Sequence, residues 1–447
     1  MENFFLMTRH PWNILVSILA WRKVLQRPAI ICVIWLLHFV TGCDSQPKED
    51  LPTTSDRSFR TVSEVAAKPT KASSDSVPDQ RYERCLKAWK HGVRWLLNQQ
   101  QADGGWHSEV YGVMQGGVGQ TALTLDLLTR SEGVEGVIPP IAIRRGIDFL
   151  TKHVDEMGLV QGPGRAADYP VHATALLLRA LSRTHAVENS DLSRQLTAAL
   201  QASQRIEAQG WIQSDPDFGG WGALNDRAPQ IDTTSERSHR EGSPSNTSVT
   251  RMVLMALAAA DGLTTDITRD AETFLGRCRV NDPLQRGVTV YFFTPDPINT
   301  LNKRGFEISA DQLPQARPYP TATWDGLMAR KICLQKQFPE LHRPTVEPGC
   351  AKPLPFSTVN EGESFKSPDG DAGLDYYEAS QWAELRVVIP SIIDSAEWDE
   401  LIRRVLDRQR ADGRWENDQR EMREDDPLIA TPFALMALGQ WLSEHHQ

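Results

Sequence analysis

Asp168 and His172 stand four residues apart, with Tyr169 between them. At that spacing on a helix the two side chains project from one face. A carboxyl beside an imidazole can work as a general acid–base pair, the equipment for cutting or eliminating across a glycosidic bond. Asp425 and Asp426 are adjacent and stand just ahead of an apolar run. Neighbouring carboxyls raise one another's proton affinity, which can supply an acid. Each pair also has a structural role open to it. An Asp at a helix start caps the helix, Asp426-Pro427 suits a cap and first turn, and a single His on a helix is commonly a packed core residue.

Other chemistries find less support in the residues. Cys85, Cys278, Cys333 and Cys350 are scattered, with no CxxC pair and no tight Cys/His cluster, so neither a metal site nor a bound cofactor is expected. The net charge of −10 and the lack of a basic face argue against a nucleic-acid partner.

The first 43 residues read as an address. Arg22, Lys23 and Arg27 precede an apolar run from Pro28 to Val40, too short to span a bilayer comfortably. Val40-Thr41-Gly42-Cys43 closes it and resembles a bacterial lipobox. That resemblance implies cleavage before Cys43, a lipid on its sulfur, and an exported protein held at the periplasmic face of the envelope. Residues 44–80 are rich in Ser, Thr, Pro, Lys and Asp and nearly free of large apolar side chains, so they are expected to form a disordered tether.

The candidate acids must be positioned by the body, residues 81–447, and the body is a repeat. TALTLDLL (Thr121–Leu128), TALLLRAL (Thr174–Leu181), TRMVLMAL (Thr250–Leu257), TWDGLMAR (Thr323–Arg330) and TPFALMAL (Thr431–Leu438) share a Thr followed four residues later by Leu. The spacing predicts helices apolar nearly all round, as in the interior of a ring. A more polar helix is expected ahead of each, at Trp95-Leu96, Phe149-Leu150, Ala199-Leu200, Phe274-Leu275 and Val405-Leu406. The interval from Thr323 to Thr431 is about double the shortest one, and Tyr376–Ile389 fits a sixth, degenerate inner helix. Two long insertions, 215–246 and 279–318, precede inner helices and should sit together at the mouth of the ring.

Two units carry a second motif. Gln100, Asp103, Gly104 and Trp106 follow the first polar helix, and Gln409, Asp412, Gly413 and Trp415 follow the last, both as Q-x-x-D-G-x-W. Gly stops a helix, Gln can bond exposed backbone ends, and Trp can clamp the loop on its neighbour. Weaker relatives are Gln204 with Gly210-Trp211, and Gly219-Gly220-Trp221. This motif, followed by the Thr-headed helix, resembles the QW repeats of the squalene cyclase and protein prenyltransferase families over roughly Tyr82 to Leu442.

The resemblance implies an all-α α/α-toroid of five to six outer/inner helix pairs. It also implies where the chemistry would lie. Those cyclases carry an Asp pair immediately before the inner-helix Thr, but here the pairs are Gly119-Gln120, His172-Ala173, Ser248-Val249, Thr321-Ala322 and Ile429-Ala430. The zinc ligands of the prenyltransferases have no counterpart. The expectation is therefore a membrane-tethered toroid that binds an apolar ligand, a glycan or a protein at its cavity without catalysis. The alternative is an isoprenoid or carbohydrate enzyme with its acid in another place.

Cys43 is expected to incorporate a clickable fatty acid in the native host, and Cys43→Ala to lose the label and leave an unprocessed or released chain. A wild-type chain that takes up no label removes the anchor.

Overall fold

The computed structural model describes residues 77–130, 137–163, 168–184, 189–225, 243–281, 289–299, 301–302, 305–308, 312–317, 320–339, 375–418, 420 and 423–446. Cys43, the leader and nearly all of the tether fall outside them. From Ala72 onward the chain forms one compact unit. Eleven α-helices lie among the described residues: α1 (Val77–Asn98), α2 (Val118–Arg130), α3 (Pro140–Thr151), α4 (Pro170–Thr184), α5 (Ser190–Ala202), α6 (Thr247–Ala259), α7 (Thr265–Cys278), α8 (Pro320–Gln337), α9 (Asp375–Val388), α10 (Ser395–Asp407) and α11 (Pro427–His445).

Burial separates two classes. Helix α2 is buried from Val118 through Thr129 with no exposed stripe, and α11 is similar over most of its length. Helix α10 instead buries one face, Trp398, Leu401, Ile402, Val405 and Leu406, as an outer helix should. The buried class packs in sequence: α2 on α4, α4 on α6, α6 on α8, α8 on α9, α9 on α11, and α11 back on α2. Six inner helices thus close a ring. Helices α1, α3, α5, α7 and α10 pack outside it. The molecule is an all-α toroid, and α9 supplies the sixth inner helix expected near Tyr376.

All six inner helices enter the ring at one end. Val118 N–H donates to Asp168 ahead of α4, and Val171 N–H to Ala223 ahead of α6. Thr247 N–H reaches Phe293 ahead of α8, Tyr376 N–H reaches Glu424, and Ser108 bonds Asp426. This end is the mouth, and the long insertions open onto it. The second insertion carries two short antiparallel pairs. β1 (Arg279–Asn281) sets Val280 opposite Val290 of β2 (Thr289–Tyr291), and β3 (Phe306–Ile308) pairs with β4 (Pro314–Ala316).

The repeated Thr has one job throughout. Its hydroxyl accepts a backbone N–H from the preceding loop: Trp106 on Thr121 at 2.9 Å, Val160 on Thr174 at 2.8 Å, Trp221 on Thr250 at 3.2 Å, Tyr291 on Thr323 at 3.1 Å, and Trp415 on Thr431 at 3.0 Å. In three units the next loop residues are clamped by an indole that is fully buried. Trp106 donates Nε1–H to Leu96, Trp221 to Leu200 and Trp415 to Val405, each time to the outer helix just completed. Trp415 lies against Gly92 and Trp106 against Gly146, where a Cβ would meet the indole at 2.6 and 3.2 Å.

The motif Gln spans between units. Gln100 Nε2 donates to Gly104 and to Ala142 of α3, Gln204 to Gly219 and Ile267 of α7, and Gln409 to Gly413 and Ala88 of α1. Gly104, Gly219 and Gly413 hold φ of +98°, +90° and +101°, the left-handed turn that glycine adopts freely. The middle unit corrects the sequence pairing. Gln204 belongs with Gly219 and Trp221, while Trp211 sits under the Arg205 guanidinium, 4.7 Å from its ring centre. Eleven inserted residues separate the two halves of the motif, since Gln and Trp stand 17 positions apart here and 6 apart in the first unit. Cys85, Cys278 and Cys333 are buried free thiols, and Cys350 lies outside the described residues.

Thr121→Val and Thr431→Val keep the shape but strand a buried N–H. Each should cost about 1–3 kcal/mol in denaturant unfolding, the usual penalty for such an orphan. Unchanged midpoints in both would show that the loops are held by the indoles alone.

Candidate functional site

Five of the inner helices carry charged side chains into the ring. Asp126 of α2 accepts Arg130 of its own helix at 2.7 Å, and from α4 it takes Arg183 at 2.8 Å with Arg179 at 3.4 Å. Glu384 of α9 accepts Arg179 at 2.6 Å and also pairs with Arg130 and with Arg251 of α6. Arg251 Nε stands 2.6 Å from Asp325 of α8. Asp126, Arg179, Arg251, Asp325 and Glu384 are each at most 5% exposed. Removing water from such groups is expensive, so each must be matched by a partner. Burial pushes the Asp126 carboxyl upward, yet the three arginines outweigh it and hold it far below the carboxylate range.

The network is graded along the ring axis. Arg130 and Arg183, in the last turns of α2 and α4, retain 22% and 28% side-chain exposure, so it reaches solvent at the end opposite the mouth. Toward the mouth it gives way to a hydroxyl chain. Ser248 Oγ of α6 lies 2.6 Å from Tyr377 Oη of α9, and Tyr377 bonds the Asp325 carboxylate at 3.1 Å. Gln381 holds the same carboxylate at 2.8 Å. Phe433 of α11 packs edge-on against Tyr377, with ring centres 5.3 Å apart.

His172, Ser248 and Tyr377 are only partly buried, although His172 and Tyr377 are surrounded by protein. Their free surface therefore borders space inside the ring. Burial, then Arg251 and then Arg179, push the His172 imidazole down to about 4, against the pull of Asp126. It is neutral at physiological pH. Burial and Asp325 raise the Tyr377 phenol, so it stays protonated. The wall thus offers a neutral imidazole and two hydroxyls for hydrogen bonds. Asp325 is raised overall, because burial outweighs the opposing pull of Arg251, Gln381 and Tyr377. An ion pair at 2.6 Å keeps the carboxylate occupied as an acceptor.

The structure separates the sequence candidates. His172 faces the lumen. Asp168 is fully buried, and its Oδ2 accepts Val118 N–H at 3.4 Å, which makes it a cap for α2 from the neighbouring unit. Asp426 caps α11 through Leu428 N–H at 2.9 Å and takes the Ser108 hydroxyl, while Asp425 accepts the Tyr111 hydroxyl. Asp103 accepts Gly105 N–H and faces His107, and Asp412 pairs with Arg414. Two further acids near the ring carry raised values, both mainly through burial. Glu378 reaches about 7 against a hydrogen bond from Trp324, and Glu424 about 8 against the N–H groups of Tyr377 and Tyr376. No group of three or more His, Cys, Asp or Glu that could hold a metal ion occurs among the described residues.

The ionic network was missed from sequence, though it left a mark there. Asp126 and Arg179 both stand five residues after the repeat Thr, and Arg130 and Arg183 both nine after it. A charge inside an otherwise apolar inner helix, recurring at one repeat position, is the pattern of a lumen pair.

No protein-family model matches this chain, and no curated protein does. Among solved structures it is similar to the type II terpene cyclase MstE from Scytonema, ligand-free, at 12% identity and TM-score 0.47, over 81% of this chain and 98% of that one. A variant of MstE in complex with geranylgeranyl dihydroxybenzoate, its substrate, gives 12% identity and TM-score 0.47 over 82% and 99%.

The neutral His172 makes a pH prediction. Its folded value lies below the ordinary 6.5, so the unfolded chain takes up the proton first. The contribution to stability is complete above pH about 6.5 and is lost as pH falls toward about 4, at no more than about 1.4 kcal/mol per pH unit. His172→Gln should flatten the unfolding free energy over that window relative to wild type. Parallel profiles would show that the imidazole does not titrate in the folded ring.

Proposed function

We propose that this chain is a membrane-tethered toroid that binds an amphipathic small molecule in its lumen and does not transform it. One observation carries the reading. The lumen carboxylates Asp126, Asp325 and Glu384 are each held by arginine, while Ser248, Tyr377 and His172 keep accessible surface. Protonating an alkene needs a proton-holding acid aimed at the guest. The arginines hold Asp126 ionised, and Asp325 is taken up by Arg251, Gln381 and Tyr377. The raised Glu378 and Glu424 are engaged by the Trp324 indole and by the Tyr376 and Tyr377 N–H groups. Hydroxyls and a neutral imidazole instead bond the polar end of a guest. Phe433 and Met255, both partly accessible, add apolar wall beside them. The lipobox resemblance supports the tether and an envelope location. No helix among the described residues is long and apolar enough to cross a membrane.

The test incubates the purified body with squalene, oxidosqualene, geranylgeraniol and a cell-wall oligosaccharide, then reads both retention and turnover by mass spectrometry. The expected result is retention of geranylgeraniol, an apolar chain with one hydroxyl, with no new product. Tyr377→Phe with Ser248→Ala should weaken retention about tenfold, the scale of one to two lost hydrogen bonds. A cyclised or cleaved product sensitive to Asp325→Asn would replace this reading with an enzyme.

A further inference from the structure

At the mouth of the ring, among the described residues, Arg423 is a cation whose acidic chain neighbours are otherwise engaged. Arg423 lies in the loop before α11 and adopts φ +60°, and Tyr169, immediately before α4, adopts φ +52°. These are two of four non-glycine residues with positive φ among the described residues, and they meet. A left-handed backbone is unfavourable for an Arg or a Tyr, and such positions concentrate where a side chain must be aimed. The Arg423 guanidinium lies over two aromatic rings, 5.4 Å from the Tyr111 ring centre and 5.5 Å from that of Tyr169. Tyr111 comes from the loop before α2, so three units converge on one cation.

Arg423 adjoins three acids, and each of those has its own donors. Glu424 takes Tyr376 N–H, Tyr377 N–H and Asn417 Nδ2. Asp425 takes the Tyr111 hydroxyl, and Asp426 takes Leu428 N–H and Ser108. Among the described residues the guanidinium has no ion pair, and its one hydrogen bond is from Nη1 to Met114 Sδ at 3.4 Å. A guanidinium offers five N–H donors in a planar fork matched to oxyanions. Two cation–π contacts hold the guanidinium in place, so little freedom is lost on binding.

We propose that Arg423, clamped by Tyr111 and Tyr169 at the mouth, is an anchor for an oxyanion carried by the molecule that enters the ring. The inference rests on the ligand-binding reading above and deepens it: besides the polar group bonded in the lumen, the guest carries a second one, a phosphate, sulfate or carboxylate, at the mouth.

The anchor can be tested without the guest. Inorganic phosphate, sulfate and acetate are titrated into the purified body at constant ionic strength, with thermal unfolding and tyrosine fluorescence as readouts. Wild type should show a saturable rise in Tm and a saturable fluorescence change with at least one of these anions. The anion giving the tightest half-saturation identifies the head group. Arg423→Gln should weaken that half-saturation about tenfold or more, and Arg423→Lys, which keeps the charge but loses the fork, by an intermediate factor. Arg403→Gln, which removes an exposed charge elsewhere, should leave the response unchanged. A circular dichroism spectrum equal to that of wild type establishes that the Arg423 variants fold. A wild type without a saturable response to any of the three anions overturns the proposal, and so does an Arg423→Gln variant that responds as wild type does. Either failure leaves the lumen result with geranylgeraniol standing, because that test does not involve Arg423.

Discussion

A threonine hydroxyl near the start of an inner helix takes the backbone N–H of the loop that leads into it. This bond occurs five times, and the architecture is arranged around it. It ties the turn after each outer helix to the inner helix that follows, and in three units it delivers an indole into the seam between helices. The indole then returns a hydrogen bond to the outer helix just left behind. Each of these three units is thus locked by two bonds through one residue, and the glutamine carries the lock to the next outer helix. Helix pairs alone would leave their apolar faces half covered. The stitched loops make every unit complete its neighbour.

The ring then sets a problem for its own interior. Six nearly all-apolar helices around a central axis could have filled it with side chains. Instead four arginines and three carboxylates run through it, linking α2, α4, α6, α8 and α9, from Arg251 and Asp325 in the mouth-side halves of α6 and α8 to Arg130 and Arg183 in the last turns of α2 and α4. Such a network adds little net stability over an apolar core of equal volume, and breaking one member is costly. Its effect on specificity is larger. The pairs run between helices, so the polar plug ties α2, α4, α6, α8 and α9 to one another. The hydroxyl and imidazole wall above it is placed by that constraint, because Tyr377 is bonded to Asp325 and Asp325 to Arg251.

Much of this was legible in the chain. The Thr-Leu frame gave the inner helices, and the sixth was recoverable from an oversized interval. The two intact Q-x-x-D-G-x-W motifs gave the loop locks. The role of the threonine itself was not legible, because a hydroxyl pattern does not say which N–H will reach it. The third lock was disguised by its insertion, since Trp211 lies nearer in sequence to Gln204 than Trp221 does. Asp168 and His172 looked like one site because they are a helical turn apart. In the fold the positive φ at Tyr169 separates them, turning the carboxylate onto α2 and the imidazole into the lumen. The ionic network was written in the sequence as lone charges in apolar helices, but recognising it requires knowing that the helices surround a common axis.

Gln409 donates to Ala88 across 321 positions of sequence. Until α11 is in place, the surface of α1 and one flank of α2 have nothing to lie on, so the ring cannot mature from its first residue onward. Early units can form as an arc, held by contacts within and between adjacent repeats, but the arc keeps two raw edges that attract each other and any other arc nearby. A chain that is made slowly, from one end to the other, spends most of its synthesis in that condition. Closure is a single late event joining its oldest and newest segments, and loss of the final helix would therefore leave a sticky open crescent in place of a slightly smaller ring.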